Sequence, residues 1–202
     1  KGRERLLNAA EMHIKGSHNV ANALAALALG EAVGLPLNSM LDTLKQFKGL
    51  PHRCQFVAEQ DGLSFYNDSK GTNVGATLAA IEGLGSALAA SPAASGARVT
   101  VILGGVGKGQ DFQPLAAALR QYGRVALLIG EDAPKIAAAI DGHVQIAYAD
   151  SLDDAIAQSR LRSQAGDAVL LSPACASFDM FLNYEERGEQ FVAAVLGHGS
   201  AE

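Results

Sequence analysis

The chain has 202 residues, 49% of them hydrophobic and 18% charged, enough for one full domain and a remainder. Its formal net charge of -5, from 16 basic and 21 acidic residues, argues against a nucleic-acid surface. No apolar run approaches the roughly 18 residues that span a bilayer, nothing at the start resembles a signal peptide, and Cys54 and Cys175, without ligand spacing, read as two reduced thiols.

Lys1 stands where a complete protein would carry methionine, and K-G-R-E-R-L-L reads as a start inside a longer protein. From Gly16 to Pro36 the pattern is a helix marked at both ends. Ser17 or Asn19 can cap it, Ala and Leu fill it, and Gly34 before Pro36 stops it. Val20, Leu24, Leu27 and Ala28 form its expected buried stripe. Asn19 and Asn22 share a face near its amide-rich end, where capping is the plain alternative to a ligand role. A shorter helix is expected from Asn38 to Phe47, and Gly49-Leu50-Pro51 marks a domain boundary.

Beyond that break, Cys54–Glu59 and Leu63–Asn67 flank Asp61-Gly62, a strong hairpin signal. The pattern then alternates. Helices are expected over Asn73–Gly83, Phe112–Tyr122, Ala133–Ile140 and Leu152–Arg162, with a last one ending near Leu196. Strands are expected over Arg98–Leu103, Arg124–Ile129, Val144–Ala147 and Ala168–Leu171, and Ser86–Ala97 reads as a low-complexity linker. Such alternation predicts an α/β fold: a mostly parallel sheet, helices on both faces, and an antiparallel hairpin edge.

Three strand ends are rich in polar or small residues, and in open α/β sheets such ends meet at the ligand crevice. The first is Asn67-Asp68-Ser69-Lys70-Gly71-Thr72-Asn73. Asp68 can accept two ribose hydroxyls or cap the next helix. The second, Gly104-Gly105-Val106-Gly107-Lys108-Gly109, invites a phosphate-loop reading, but Ile102 and Gly109 stand where that motif needs glycine and Ser or Thr. It reads instead as a glycine turn whose amides could cradle a carboxylate beside Lys108, or as a plain turn. The third runs from Leu170 to Gly188. Ser172, Ser177 and the amides near Phe178 lie past its strand; Cys175 reads as a small packed residue, and Glu185, Glu186 and Arg187 as a solvated helix face. Arg53 could stack on a base or pair with phosphate; His52 receives no role.

Five motifs in order carry a resemblance: H-N-V-A-N from His18, G-L-P-H-R from Gly49, N-D-S-K-G-T-N from Asn67, G-G-V-G-K-G-Q-D-F from Gly104, and S-P-A-C-A-S-F-D-M-F-L-N-Y-E-E-R-G from Ser172. Together they resemble the C-terminal part of the Mur ligase family, from about Ile14 to Gly188, and the last motif resembles the branch that adds D-glutamate. The resemblance implies an ATP-dependent peptide-bond-forming ligase of peptidoglycan synthesis, working through an acyl phosphate in the bacterial cytoplasm as a monomer. It implies that residues 1–48 end the central ATP-binding domain and that 49–202 form a Rossmann-like C-terminal domain, with a hinge at Gly49–Pro51. By matching positions, Asn19, Asn22, Arg53 and Asp68 would bind ATP. Lys70, Thr72, Lys108, Ser177, Phe178 and Tyr184 would bind D-glutamate. UDP-N-acetylmuramoyl-L-alanine, the Mg2+ ligands and the phosphate loop would belong to parts outside this chain, which alone is expected to be inactive. Gly71, Gly107, Leu182 and Tyr184 depart from the family pattern, where alanine, aspartate, lysine and phenylalanine are common. The alternatives are a sister ligase, including a folylpolyglutamate synthetase, and a ligand-binding module without chemistry.

Overall fold

The computed structural model describes residues 5–14, 17–91 and 96–197. The chain divides into two compact units, Lys1–Leu50 and Pro51–Glu202.

The first unit pairs helix α1 (Ser17–Ala32) with α2 (Leu37–Gln46). Gly34 takes the left-handed conformation that ends α1, with φ +80°, and the Leu35 amide closes back on the Gly30 carbonyl at 2.9 Å. The stripe expected on α1 is displaced. Leu24 is 61% exposed and Ala28 is also exposed, whereas Ala23 and Gly30 are buried. Gly30 explains the shift, because a Cβ there would collide with the Met40 sulfur; the helices approach along the side lacking bulk. The cap expected at Ser17 lies outside the described side chains.

The second unit is a six-stranded sheet of order β1-β2-β6-β3-β4-β5. Its strands are β1 (Gln55–Gln60), β2 (Leu63–Asn67), β3 (Val99–Gly104), β4 (Gly123–Ile129), β5 (Gln145–Tyr148) and β6 (Ala168–Leu171). Only β1 runs antiparallel, joined to β2 by Asp61-Gly62 with φ 54° and 76°, the positive pair a two-residue hairpin turn demands. The parallel strands need crossovers, and helices provide them: α3 (Val74–Ala89), α4 (Leu115–Tyr122), α5 (Ala133–Ile140) and α6 (Leu152–Arg162), before the closing α7 (Tyr184–Val195).

Alternation along the central strands sorts the helices between two faces. Val99, Val101 and Leu103 pack with Ile81, Leu84, Leu115, Leu119 and Ile136 from α3, α4 and α5. Ile102, Leu127 and Val169 pack with Leu152, Ile156, Phe191 and Val195 from α6 and α7. With both faces covered, β3 and β6 are buried throughout, which is why they read as apolar runs, broken only by Thr100 in β3.

Helix α3 continues past Gly83 into the stretch expected to be linker, of which residues 92–95 lie outside the described residues. Packing overrides propensity here. Leu84 is buried, and Gly85 lets α3 approach the Tyr122 ring at the end of α4, which a Cβ would strike.

Candidate functional site

Strand order builds the site. β2, β6 and β3 are adjacent and parallel, so the loops that follow them leave from one edge of the sheet. The chain passes from β2 over β6 to β3 and returns to β6 last, which places the reversal of strand order at these three ends.

Backbone hydrogen bonds stitch the loops together. Gly104 donates to the Pro173 carbonyl at 2.9 Å, Val106 and Ala176 exchange bonds of 2.9 and 3.0 Å, and Ala174 donates to Gly71 at 2.8 Å. Gln110 ties all three with one side chain: its carbonyl accepts from the Val74 amide at 3.0 Å, and its amide donates to Gly107 at 2.9 Å and Ala174 at 3.1 Å. Among the described residues five non-glycines have positive φ. Asp61 serves the hairpin; His52 (60°), Cys54 (43°), Lys108 (53°) and Ala174 (59°) all belong to this end of the sheet. Conformations this costly for an L side chain persist where the surroundings over-determine them, as binding loops do.

Asp68 occupies the floor, 7% exposed. One carboxylate oxygen accepts from the Cys54 amide at 3.0 Å, and the other from the Ser172 hydroxyl at 2.6 Å. Asn73, not Asp68, caps α3, through a 2.9 Å bond from the Ala76 amide. Burial raises the Asp68 carboxyl to about 6, against the opposing pull of Ser172, the Cys54 amide and the charge of Arg53. Arg53 is exposed.

On the other side of the same loop, the Lys70 ammonium lies 2.6 Å from the Tyr184 phenol oxygen and 4.1 Å from that ring's centre. His52 meets the ring edge-on at 5.9 Å. Thr72 is half-buried, Lys108 is exposed at its turn, Ser177 is buried, and Phe178 is 69% exposed. No carboxylate pairs with Lys70 or Lys108 among the described residues. The Lys108 turn is held from below, where the Asp132 carboxylate accepts the Gly107 amide at 2.6 Å and pairs with Lys135 at 2.5 Å. Those partners, Lys135 first, hold Asp132 below the usual carboxylate range.

The sheet edge therefore brings Asp68, Lys70, Thr72, Lys108, Ser177 and Phe178 onto stitched loops, with Tyr184 at the start of α7. Asn19 and Asn22 stand on the opening turns of α1, in the first unit. Cys175 is fully buried and its thiol is pushed up to about 12 by burial, in keeping with a packed residue and not a nucleophile.

One expectation fails outright. Arg187 is no part of a solvated face; it is 1% exposed. Its Nε donates to the Ser69 hydroxyl at 2.9 Å, Nη2 donates to the Ser69 carbonyl at 2.8 Å, and both terminal nitrogens reach the Cys175 carbonyl at 3.3 Å. A charge of this size on a strongly polar helix reads as solvated, but its three-residue spacing from Tyr184 places both on one helix face and would have found it. His52, also missed, uses its carbonyl to accept the Lys70 amide at 3.0 Å and shares a 3.1 Å ring-nitrogen contact with Asn67.

The model of the Mur ligase glutamate ligase domain matches residues 52–175. UDP-N-acetylmuramoylalanine--D-glutamate ligase from Acinetobacter baylyi is 56% identical over 195 residues, covering 96% of this chain and 43% of that protein. The chain thus spans less than half the length of that relative. Among solved structures, UDP-N-acetylmuramate-alanine ligase from Thermotoga maritima aligns with a TM-score of 0.63 at 15% identity, over 93% of this chain and 40% of that one. MurF ligase from the same organism, in complex with ADP, aligns at 0.62 with 18% identity, over 91% and 40%.

Proposed function

We propose, from the premise that this chain belongs to the Mur ligase family, that it is the D-glutamate-binding and nucleoside-binding part of an ATP-dependent ligase. The whole enzyme would join D-glutamate to UDP-N-acetylmuramoyl-L-alanine. The γ-phosphoryl group of ATP passes to the alanyl carboxylate, releasing ADP. The amine of D-glutamate then attacks the acyl phosphate, phosphate leaves with the C–O bond, and the amine loses a proton. In this reading residues 1–48 close the central domain, 49–202 form the C-terminal domain, and the enzyme acts as a monomer in the bacterial cytoplasm.

The observation that carries the reading is the pair of cations, Lys70 and Lys108, on loops stitched at one sheet edge; among the described residues neither forms an ion pair with a carboxylate, and Glu185 only feels the charge of Lys70 from further off. D-Glutamate carries two carboxylates. Charge-assisted hydrogen bonds from two ammonium groups, with neutral donors at Thr72 and Ser177, match that ligand. Phe178 and the Tyr184 ring border its carbon chain. Asp68, with lone pairs left on both oxygens, accepts ribose hydroxyls, and Arg53, on the same unit, borders the adenine end. Mg2+ would be held by parts of the enzyme outside this chain; among the described residues no group of three or more His, Cys, Asp or Glu gathers.

Titration of the chain with D-glutamate, followed by backbone amide shifts, tests the reading. Shifts should concentrate at residues 70–72, 107–109 and 176–178 and disappear in Lys108→Ala. Shifts confined elsewhere, or equal in both proteins, would remove D-glutamate from this edge.

A further inference from the structure

Arg187 is the largest fully buried side chain among the described residues, and its hydrogen-bond partners are all neutral: the Ser69 hydroxyl, the Ser69 carbonyl and the Cys175 carbonyl. A buried guanidinium ordinarily has a carboxylate beside it, because desolvating an unpaired charge is costly. Here Asp179, the carboxylate whose charge it feels, is instead bonded to the Glu131 amide at 2.9 Å. Burial lowers the guanidinium to about 10, so it remains cationic at neutral pH.

Its partners are placed with consequence. Ser69 immediately precedes Lys70, and Cys175 stands two residues before Ser177. The Ser69 hydroxyl that accepts from Arg187 donates onward to the Tyr184 carbonyl at 2.7 Å, and Tyr184 carries the phenol that meets Lys70. One guanidinium thus spans the loop after β2, the loop after β6 and the first turn of α7. Lysine cannot reproduce this, since it lacks the planar fork that reaches three acceptors in fixed directions.

We propose that Arg187 is a positioning residue for the dicarboxylate amino-acid substrate: it sets the spacing between Lys70 and Ser177, and its unpaired buried charge adds to the field that draws the two carboxylates to this edge. The proposal rests on the D-glutamate reading above. It assigns Arg187 no contact with substrate and no part in bond making.

The test is steady-state kinetics of the full-length ligase carrying Arg187→Lys, Arg187→Ala and Ser69→Ala, with Lys108→Ala as control. Arg187→Lys and Arg187→Ala should raise KM for D-glutamate at least tenfold and leave KM for ATP within twofold. Millimolar guanidinium or methylguanidinium should restore part of the D-glutamate affinity of Arg187→Ala and do nothing for Arg187→Lys. Ser69→Ala, which keeps the guanidinium and its carbonyl partners, should raise the same KM two- to fivefold, and it carries the test where the arginine variants do not fold. Arg187 or Ser69 variants with unchanged D-glutamate KM, beside a Lys108→Ala enzyme whose KM rises, overturn the positioning role alone. If Lys108→Ala is also unchanged, the D-glutamate reading fails and takes this inference with it. Equal rises in both KM values mean a general loss of structure and overturn the assignment.

Discussion

The Ser172 hydroxyl donates a hydrogen bond to the Asp68 carboxylate at 2.6 Å, joining two loops that lie 104 residues apart in the chain. The bond is buried, and Thr77 packs its own hydroxyl 3.0 Å from the same serine oxygen. Ser172→Ala would leave the carboxylate with one fewer donor in a site that water scarcely reaches. Losing such a partner costs about 1–3 kcal/mol. Thermal or urea unfolding should show a loss of that size, and full-length enzyme should show a raised KM for ATP with KM for D-glutamate little changed.

Asp68 also sets a pH dependence. Its folded carboxyl titrates at about 6, against the usual 3.8 for an unfolded chain. The folded state binds the proton more tightly, so this group's contribution to stability grows as pH falls from about 6 to 3.8 and is complete below that. Above pH 6 the full cost of a buried carboxylate is present. The shift is worth up to about 3 kcal/mol. Other carboxylates oppose it, so the measurement is the difference in unfolding free energy between the native chain and Asp68→Asn across pH 4–7. That difference should slope with pH; a flat one would place Asp68 in water. If Asp68 accepts the ribose hydroxyls as proposed, its ionised form does so, and ATP affinity should fall below pH 6.

Asp132 supports the Lys108 turn from beneath, through the Gly107 amide. Asp132→Ala leaves that buried amide unpaired and removes the Lys135 ion pair, which at an exposed lysine adds little. Hydrogen exchange at residues 105–109 should accelerate at least tenfold while exchange in β3 and β4 stays unchanged. Acceleration across the whole sheet would mean that Asp132 supports the core and not the turn.

Gly104 and Gly105 adopt φ of 127° and 122°, and a Cβ at either would strike backbone, the Ile129 carbonyl for the first and the Ala176 carbonyl for the second. Main chain from two other segments cannot yield as a side-chain tip can. Gly104→Ala should destabilise the domain by about 3 kcal/mol or more, or abolish its folding, and Gly109→Ala, where open space surrounds the missing Cβ, should cost about 1 kcal/mol from its φ of 73° alone. Urea denaturation of both variants checks the ordering.

Tyr184 meets Lys70 in two ways, by its phenol oxygen and by its ring face. Tyr184→Phe removes the first and keeps the second, and a neutral acceptor for a half-buried ammonium contributes about 1 kcal/mol. KM for D-glutamate should change by less than about threefold. A rise beyond tenfold would mean that the phenol touches the substrate itself.

Much of this was readable from residues alone, for reasons tied to particular stretches. Asp61-Gly62 needs two positive φ angles and its flanks alternate, so the hairpin followed. Val99 to Leu103 is covered on both faces, so its strand shows as an apolar run interrupted only by Thr100. Three polar or glycine-rich strand ends marked the candidate edge, because a ligand would need small residues and backbone amides there. Gly83 misled because local propensity cannot register a ring such as Tyr122 lying across the next turn.

Composition and pattern by themselves determined that this is an α/β chain with helices on both faces of the sheet, since side-chain period and turn chemistry act over a few residues. The tertiary structure decided what those residues do with one another. Strand order 2-6-3 set three distant loops side by side, and burial changed the meaning of Arg187 and Asp68. Neither a charge's solvation nor a hydrogen bond between residues a hundred positions apart is written in local sequence, because both depend on what the rest of the fold packs around them.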